Sequence, residues 1–198
     1  MVWLSSVFLS ALVVVLAYLA PEASTPATSK APAGFLLLWT RYSAHIAFAF
    51  LLVAFSASSL KALFHNRFSH ALVGYRRQLG LGFATAHGFH LIALTLFLSS
   101  VDGFQADASL AVAGFGYVIT ALLAITSNNW SVRRLGITTW RRIHTVGISI
   151  LMLYFFVAFS ERVLSREDFI YGVYVALIAA AVVTKIWVKR QRPAMPTG

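Results

Sequence analysis

Six stretches of this chain are so apolar that water cannot be their main environment. They run roughly over 2–20, 35–60, 78–100, 108–127, 143–160 and 169–188. A helix needs about 20 mainly apolar residues to cross the hydrocarbon layer of a bilayer. The second stretch is long enough for a tilted helix plus an interfacial turn. The fifth is short, and Ser160 and Glu161 follow it at the interface. Lipid offers no hydrogen bonds to backbone groups, so uncharged spans must be helical. The alternating segments of about 10 residues that a membrane barrel requires are absent. The expected fold is an all-α integral membrane protein, one six-helix transmembrane bundle over residues 1–198 seated in the lipid bilayer. Composition agrees: 59% of residues are hydrophobic and 11% charged, against about 25% charged in a soluble domain. A chain of this length has no room for a flavin or nicotinamide domain beside such a bundle. The first stretch has the length of a signal peptide, but it lacks a basic start, and Pro21 follows the obvious cleavage point at Leu19-Ala20. A retained helix is expected.

The net charge is +10. In a soluble protein that would raise nucleic acid as a partner. Here the charges sit between apolar runs, so nucleic acid is not expected and topology is the simpler reading. Lys61, Arg67, Arg76 and Arg77 fall in one connector, Arg133, Arg134, Arg141 and Arg142 in another, and Lys185, Lys189, Arg190 and Arg192 at the end. The alternate connectors hold every acid: Glu22, Asp102, Asp107, Glu161, Glu167 and Asp168. Basic connectors stay cytoplasmic. Both termini are then expected in the cytoplasm, with the acidic connectors outside.

The chain has no cysteine. Disulfides, thiolate-ligated haem, cysteinyl iron–sulfur clusters and covalent haem attachment are thereby excluded. Six histidines remain. His65 and His70 lie in a basic connector and read as solvated surface. His45, His87 and His90 lie inside expected spans, and His144 lies at the cytoplasmic start of the fifth. Ionisable residues within a span are costly and usually face the bundle interior. A lone intramembrane His is most simply a helix–helix hydrogen bond. Three of them, with no carboxylate inside any span, argue against a carboxylate-based pump and toward a His-ligated cofactor. At about 1.5 Å rise per residue, His45 and His90 sit at similar depth, roughly 15 Å below the outer surface. His87 is one turn further in. His90 and His144 differ by about 10–15 Å in depth, too far to share one iron.

Two motifs carry a resemblance. The first is Arg76-Arg77-Gln78-Leu79-Gly80-Leu81, followed by an apolar run to His90. The second is Thr126-Ser127-Asn128, then Arg133-Arg134-Leu135-Gly136, then Trp140-Arg141-Arg142-Ile143-His144. Together they resemble the ferric-reductase-like transmembrane domain family, and within it the haem-binding membrane subunits of periplasmic methionine-sulfoxide reductase systems. The match is good over residues 76–160. It implies one or two b-type haems within the bundle and electron transfer across a bacterial inner membrane. The implied route runs from a cytoplasmic flavin reductase, or an FMN or FAD at the cytoplasmic face, to a periplasmic oxidoreductase. It implies His90 and His144 as haem ligands. The family's further ligand, about thirteen residues after His144, is here Val157, and a third-helix ligand of larger members is here Arg76. The axial partner of His90 is then open between His45 and His87, or the iron is five-coordinate. Tyr154 is a weaker substitute. Arg76 and Arg77 could pair with haem propionates or a flavin phosphate, or simply set topology. Arg41 has the same choice near the outer face.

Two other functions remain open on sequence grounds. One is a haem-free, degenerate relative serving as a membrane scaffold, which the Val157 departure favours. The other is a small-solute or metal transporter, which the lack of intramembrane carboxylates disfavours. No nucleophile–base pair points to hydrolysis. Gly80, Gly82, Gly88, Gly114 and Gly116 could allow close helix packing or leave space for a flat cofactor. Trp3, Trp39, Trp130, Trp140 and Trp187 lie near span ends, as interfacial aromatics do.

Overall fold

The computed structural model describes residues 2–20, 34–101, 103–105, 108–166 and 168–191. Of the charges behind the orientation argument, Glu22, Lys30, Asp102, Asp107, Glu167 and Arg192 lie outside the described residues. Among the described residues all regular structure is helical. The elements are α1 (Val2–Leu19), α2 (Gly34–Phe64), α3 (Arg67–Gly74), α4 (Arg76–Ser99), α5 (Ala108–Ile125), α6 (Asn129–Leu135), α7 (Ile137–Leu164) and α8 (Phe169–Arg190).

Four helices, α2, α4, α7 and α8, are long and apolar enough to cross a membrane. A fifth crossing is added if α5 and α6, bent by 95° at their break, count as one span. α1 is apolar but shorter. Even so, it is packed into the bundle rather than held apart. Ser6, Ser10, Val13 and Ala17 are all buried. Their spacing makes one narrow stripe, which lies against α2 and α4. At this crossing a Cβ on Gly82 would stand 2.9 Å from the Phe50 ring and 3.5 Å from Ser6 Cβ. Gly82 therefore lets three helices meet. Gly147, which the sequence did not single out, does the same for α5 and α7, since a Cβ there would lie 2.9 Å from Leu123. Gly80, Gly88 and Gly114 face open space instead.

The two basic connectors contain structure that hydropathy averages away. Asn66 caps α3, its side chain accepting from Ser69 N–H while the Ser69 hydroxyl accepts from Asn66 N–H. Asn128 caps α6, accepting from Ser131 N–H at 2.7 Å. Both are ordinary N-cap chemistry. His65, just before α3, and His70, on α3, are exposed, as their place in a basic connector predicts. Gly136, at φ +75°, separates α6 from α7. Helix α7 then starts at Ile137 and has 28 residues, so the fifth apolar stretch belongs to a long helix. His144 sits two turns into it rather than at its edge.

The core is an aromatic column. Phe48 packs at 5.7 Å from Phe155 and 4.9 Å from Phe159, and Phe159 continues to Tyr171 at 5.7 Å. Leu51, Phe83, Leu151 and Met152 complete it. Outward, Val112, Phe115, Leu122, Val146, Leu153 and Val183 are more than half exposed. Apolar surface of that extent would aggregate in water, and it suits acyl chains.

Candidate functional site

Helices α2 and α4 run antiparallel and share the most extensive packing of any pair. Their antiparallel course brings the start of α2 to the end of α4. His45 on the first and His87 and His90 on the second line one cavity of about 970 Å³. Tyr117 of α5 and Tyr154 and Val157 of α7 line it too, and Arg41, Glu161 and Arg162 stand at its polar end. The volume lies at the upper end of the usual range for ligand sites, about 300–1,000 Å³.

The three imidazoles differ in setting. His90 is tied to α2: its Nδ1 lies 3.1 Å from the Ser43 hydroxyl. His87 is 3% exposed and packed face to face between Phe83 at 5.1 Å and Tyr117 at 4.2 Å. Its ring also lies 5.8 Å from that of His90. His45 meets the edges of Tyr171 at 5.8 Å and Tyr174 at 5.3 Å. His45 Nε2 and His87 Nδ1 are buried without a hydrogen-bond partner. An orphaned buried polar atom costs about 1–3 kcal/mol, and the protein offsets that cost at neither nitrogen.

His144 belongs elsewhere. It lines a second cavity of about 420 Å³ at the other end of the bundle, with Arg76, Arg77, Gly80, Trp140 and Arg141. Leu151 borders both cavities, and Phe83 joins them by lining the smaller one while stacking on His87. His144 stacks on Trp140 at 4.2 Å. Its Nε2 lies 3.0 Å from Thr126 Oγ1, and that hydroxyl already donates to the Leu122 carbonyl at 2.6 Å. A hydroxyl has one proton. His144 Nε2 is therefore engaged by Thr126, whichever of the two carries the shared proton. Trp140 Nε1 donates to the Thr126 carbonyl at 2.8 Å, closing a clasp between α5 and α7.

The arginines sort the same way. Arg77 donates to the Ser127 carbonyl at 2.6 Å and to Asn129 Oδ1 at 2.9 Å, so it holds the α5–α6 bend. Arg41 pairs loosely with Asp168, at 3.5 Å and with both side chains partly exposed. Arg162 stacks over Tyr171 at 5.2 Å. The sequence reading missed Ser43, Tyr117 and Thr126. A serine two residues before His45 and a Thr in the TSN motif carried no signal without the neighbouring helix.

This donor set suits a haem better than a bare ion. Among the described residues, no group of three or more His, Cys, Asp or Glu side chains converges as a free metal ion would require. A haem iron asks the protein for only one or two axial ligands, and the larger cavity offers His90 and His45 from neighbouring helices, with Arg41 and Arg162 also on its lining. Val157 lines the same cavity and offers it no donor atom.

No protein-family model matches the chain, and no solved structure matches it. Among curated proteins, the chain is similar to the protein-methionine-sulfoxide reductase heme-binding subunit MsrQ of Agrobacterium fabrum. Identity is 31% over 160 residues, covering 74% of this chain and 72% of that protein. Identity of that level across nearly three quarters of both chains, on an all-helical apolar bundle, is decisive: this chain belongs to the MsrQ family.

Proposed function

We propose that this protein is a haem-binding membrane electron-transfer subunit, a component of an oxidoreductase system rather than a complete enzyme. The observation that carries the reading is the large cavity between α2, α4, α5 and α7, lined by three intramembrane histidines. A b-type haem bound there would supply a one-electron Fe(III)/Fe(II) couple. In this reading His90 and His45 would hold the iron, α4 and α2 supplying the ligands where Val157 of α7 offers no donor atom. His87, held between two aromatic rings, shapes the wall. Arg41 and Arg162, at the polar end of the cavity, receive the propionates. His144 stays with Thr126, and a single haem is bound.

In this reading the smaller cavity lies at the cytoplasmic face. Arg76, Arg77, Arg141 and Trp140 border it, and an FMN or FAD, or a docked flavin reductase, would deliver reducing equivalents there. The acceptor is a periplasmic oxidoreductase at the opposite face. The bundle has six spans in a bacterial inner membrane, with both termini cytoplasmic.

The test is an absorption spectrum of the detergent-purified protein, oxidised and then dithionite-reduced, beside His90→Ala, His45→Ala and His87→Ala. A Soret band that sharpens on reduction, with resolved α and β bands, is expected in the parent and the His87 variant and lost in the other two. Loss in His90→Ala alone would leave a five-coordinate iron. No Soret band in protein made with ample haem would sink the reading and leave a haem-free scaffold on an inherited fold.

A further inference from the structure

We infer that Ser43 is a positioning residue that sets the tautomer of His90 and so prepares it as an iron ligand. The inference rests on the haem reading above and adds a residue to it. The Ser43 hydroxyl is 2% exposed as a residue, sits on α2, and faces α4 across the tightest helix pair of the bundle. Its oxygen makes two contacts, to the Thr40 carbonyl at 3.1 Å and to His90 Nδ1 at 3.1 Å. A carbonyl can only accept, and the hydroxyl has one proton. With that proton on Thr40, the contact to His90 has Nδ1–H as donor. The proton of the neutral imidazole is then on Nδ1, and the lone pair is on Nε2.

The consequence is chemical. Haem iron takes a nitrogen lone pair, and a ligating His commonly donates its other ring N–H to an oriented acceptor, which fixes the ring and makes it a stronger donor. Ser43 supplies that acceptor. His144 is the built-in contrast. The Thr126 hydroxyl also donates to a helix carbonyl, but it faces Nε2, so the two imidazoles are held by opposite ring nitrogens. A serine or threonine one turn beyond the carbonyl it serves is common in membrane helices. What makes these two hydroxyls different is the imidazole each one orients.

Four proteins separate the possibilities: the parent, Ser43→Ala, Ser43→Thr and Ser59→Ala. Ser59 is a buried serine on the same helix that does not border the large cavity, and it controls for loss of a helix hydroxyl. Haem affinity is measured by titrating haem into haem-free protein, and the midpoint potential by redox titration. Ser43→Ala is expected to lose about 10–100-fold in haem affinity, the range for outer-shell partners of metal ligands. Its potential should rise, because a weaker donor stabilises Fe(III) less. Ser43→Thr should restore both, and Ser59→Ala should change neither. In haem-free parent protein, imidazole ¹⁵N shifts should report a protonated Nδ1 for His90. Parent-like affinity and potential in Ser43→Ala, or a protonated Nε2 on His90, would overturn the inference while leaving the haem reading intact. Failure of the parent itself to bind haem would instead remove the reading on which it rests.

Discussion

Replacing Thr126 with Val isolates one hydrogen bond between α5 and α7. Valine keeps the shape of threonine and deletes the hydroxyl, so His144 Nε2 loses its partner at 3.0 Å. Little else changes. The Leu122 carbonyl keeps the Thr126 backbone N–H at 3.0 Å, and Trp140 Nε1 keeps the Thr126 carbonyl at 2.8 Å. His144 is half-buried, which limits the penalty of the orphaned nitrogen. Interhelical hydrogen bonds in membrane proteins average about 0.6 kcal/mol and reach about 1.7. The variant should therefore lose that much, roughly 3- to 18-fold in the unfolding equilibrium at 25 °C. The assay is reversible unfolding in mixed micelles, run as a double-mutant cycle with His144→Phe, which preserves an aromatic ring against Trp140. The cycle should return a coupling in the same range. The haem spectrum should not move in either single variant. Zero coupling, or a spectrum altered as His90→Ala alters it, would refute the assignment of His144 to the clasp.

Two further predictions follow from packing and charge. Gly82→Val places side-chain atoms against Phe50 and Ser6, where the Cβ alone already stands 2.9 Å and 3.5 Å away; overpacking of this kind costs roughly 1–3 kcal/mol. Gly88→Val, in open space, should melt near the parent, and equal melting temperatures for the two variants would contradict the three-helix crossing. The absence of native cysteine makes orientation directly measurable. An impermeant thiol reagent added outside intact cells should label Ser165→Cys and spare His70→Cys, both at exposed positions, and the reverse pattern would invert the proposed topology.

Much of the architecture was legible because lipid leaves so few options. Residues 35–60, 78–100 and 169–188 had to be helical, and α2, α4 and α8 cover them. The fifth stretch was misjudged as short. Trp140, Arg141 and Arg142 lower its hydropathy at the start, yet the helix begins at Ile137 because Gly136 turns the chain there at φ +75°. The short helices α3 and α6 were invisible for a related reason. Seven or eight amphipathic residues carry no apolar run, and only the Asn66 and Asn128 caps marked their starts.

The candidate site divides along the same line. An imidazole within an apolar run is recognisable in one dimension, since its cost does not depend on neighbours. His45, His87 and His90 were therefore marked by sequence, and the bundle brings all three to one cavity. Which atoms meet is a property of helix rotation and crossing, and hydropathy holds no record of it. Only the packed bundle decided that Ser43 faces His90 and Thr126 faces His144, that Tyr117 and Phe83 clamp His87, and that Arg77 is committed to the α5–α6 bend. Sequence alone determined that the chain is apolar, helical and furnished with histidines at two depths. The tertiary structure decided which ring nitrogen of His90 and of His144 meets a hydroxyl, because helix rotation and crossing set which side chains face each other.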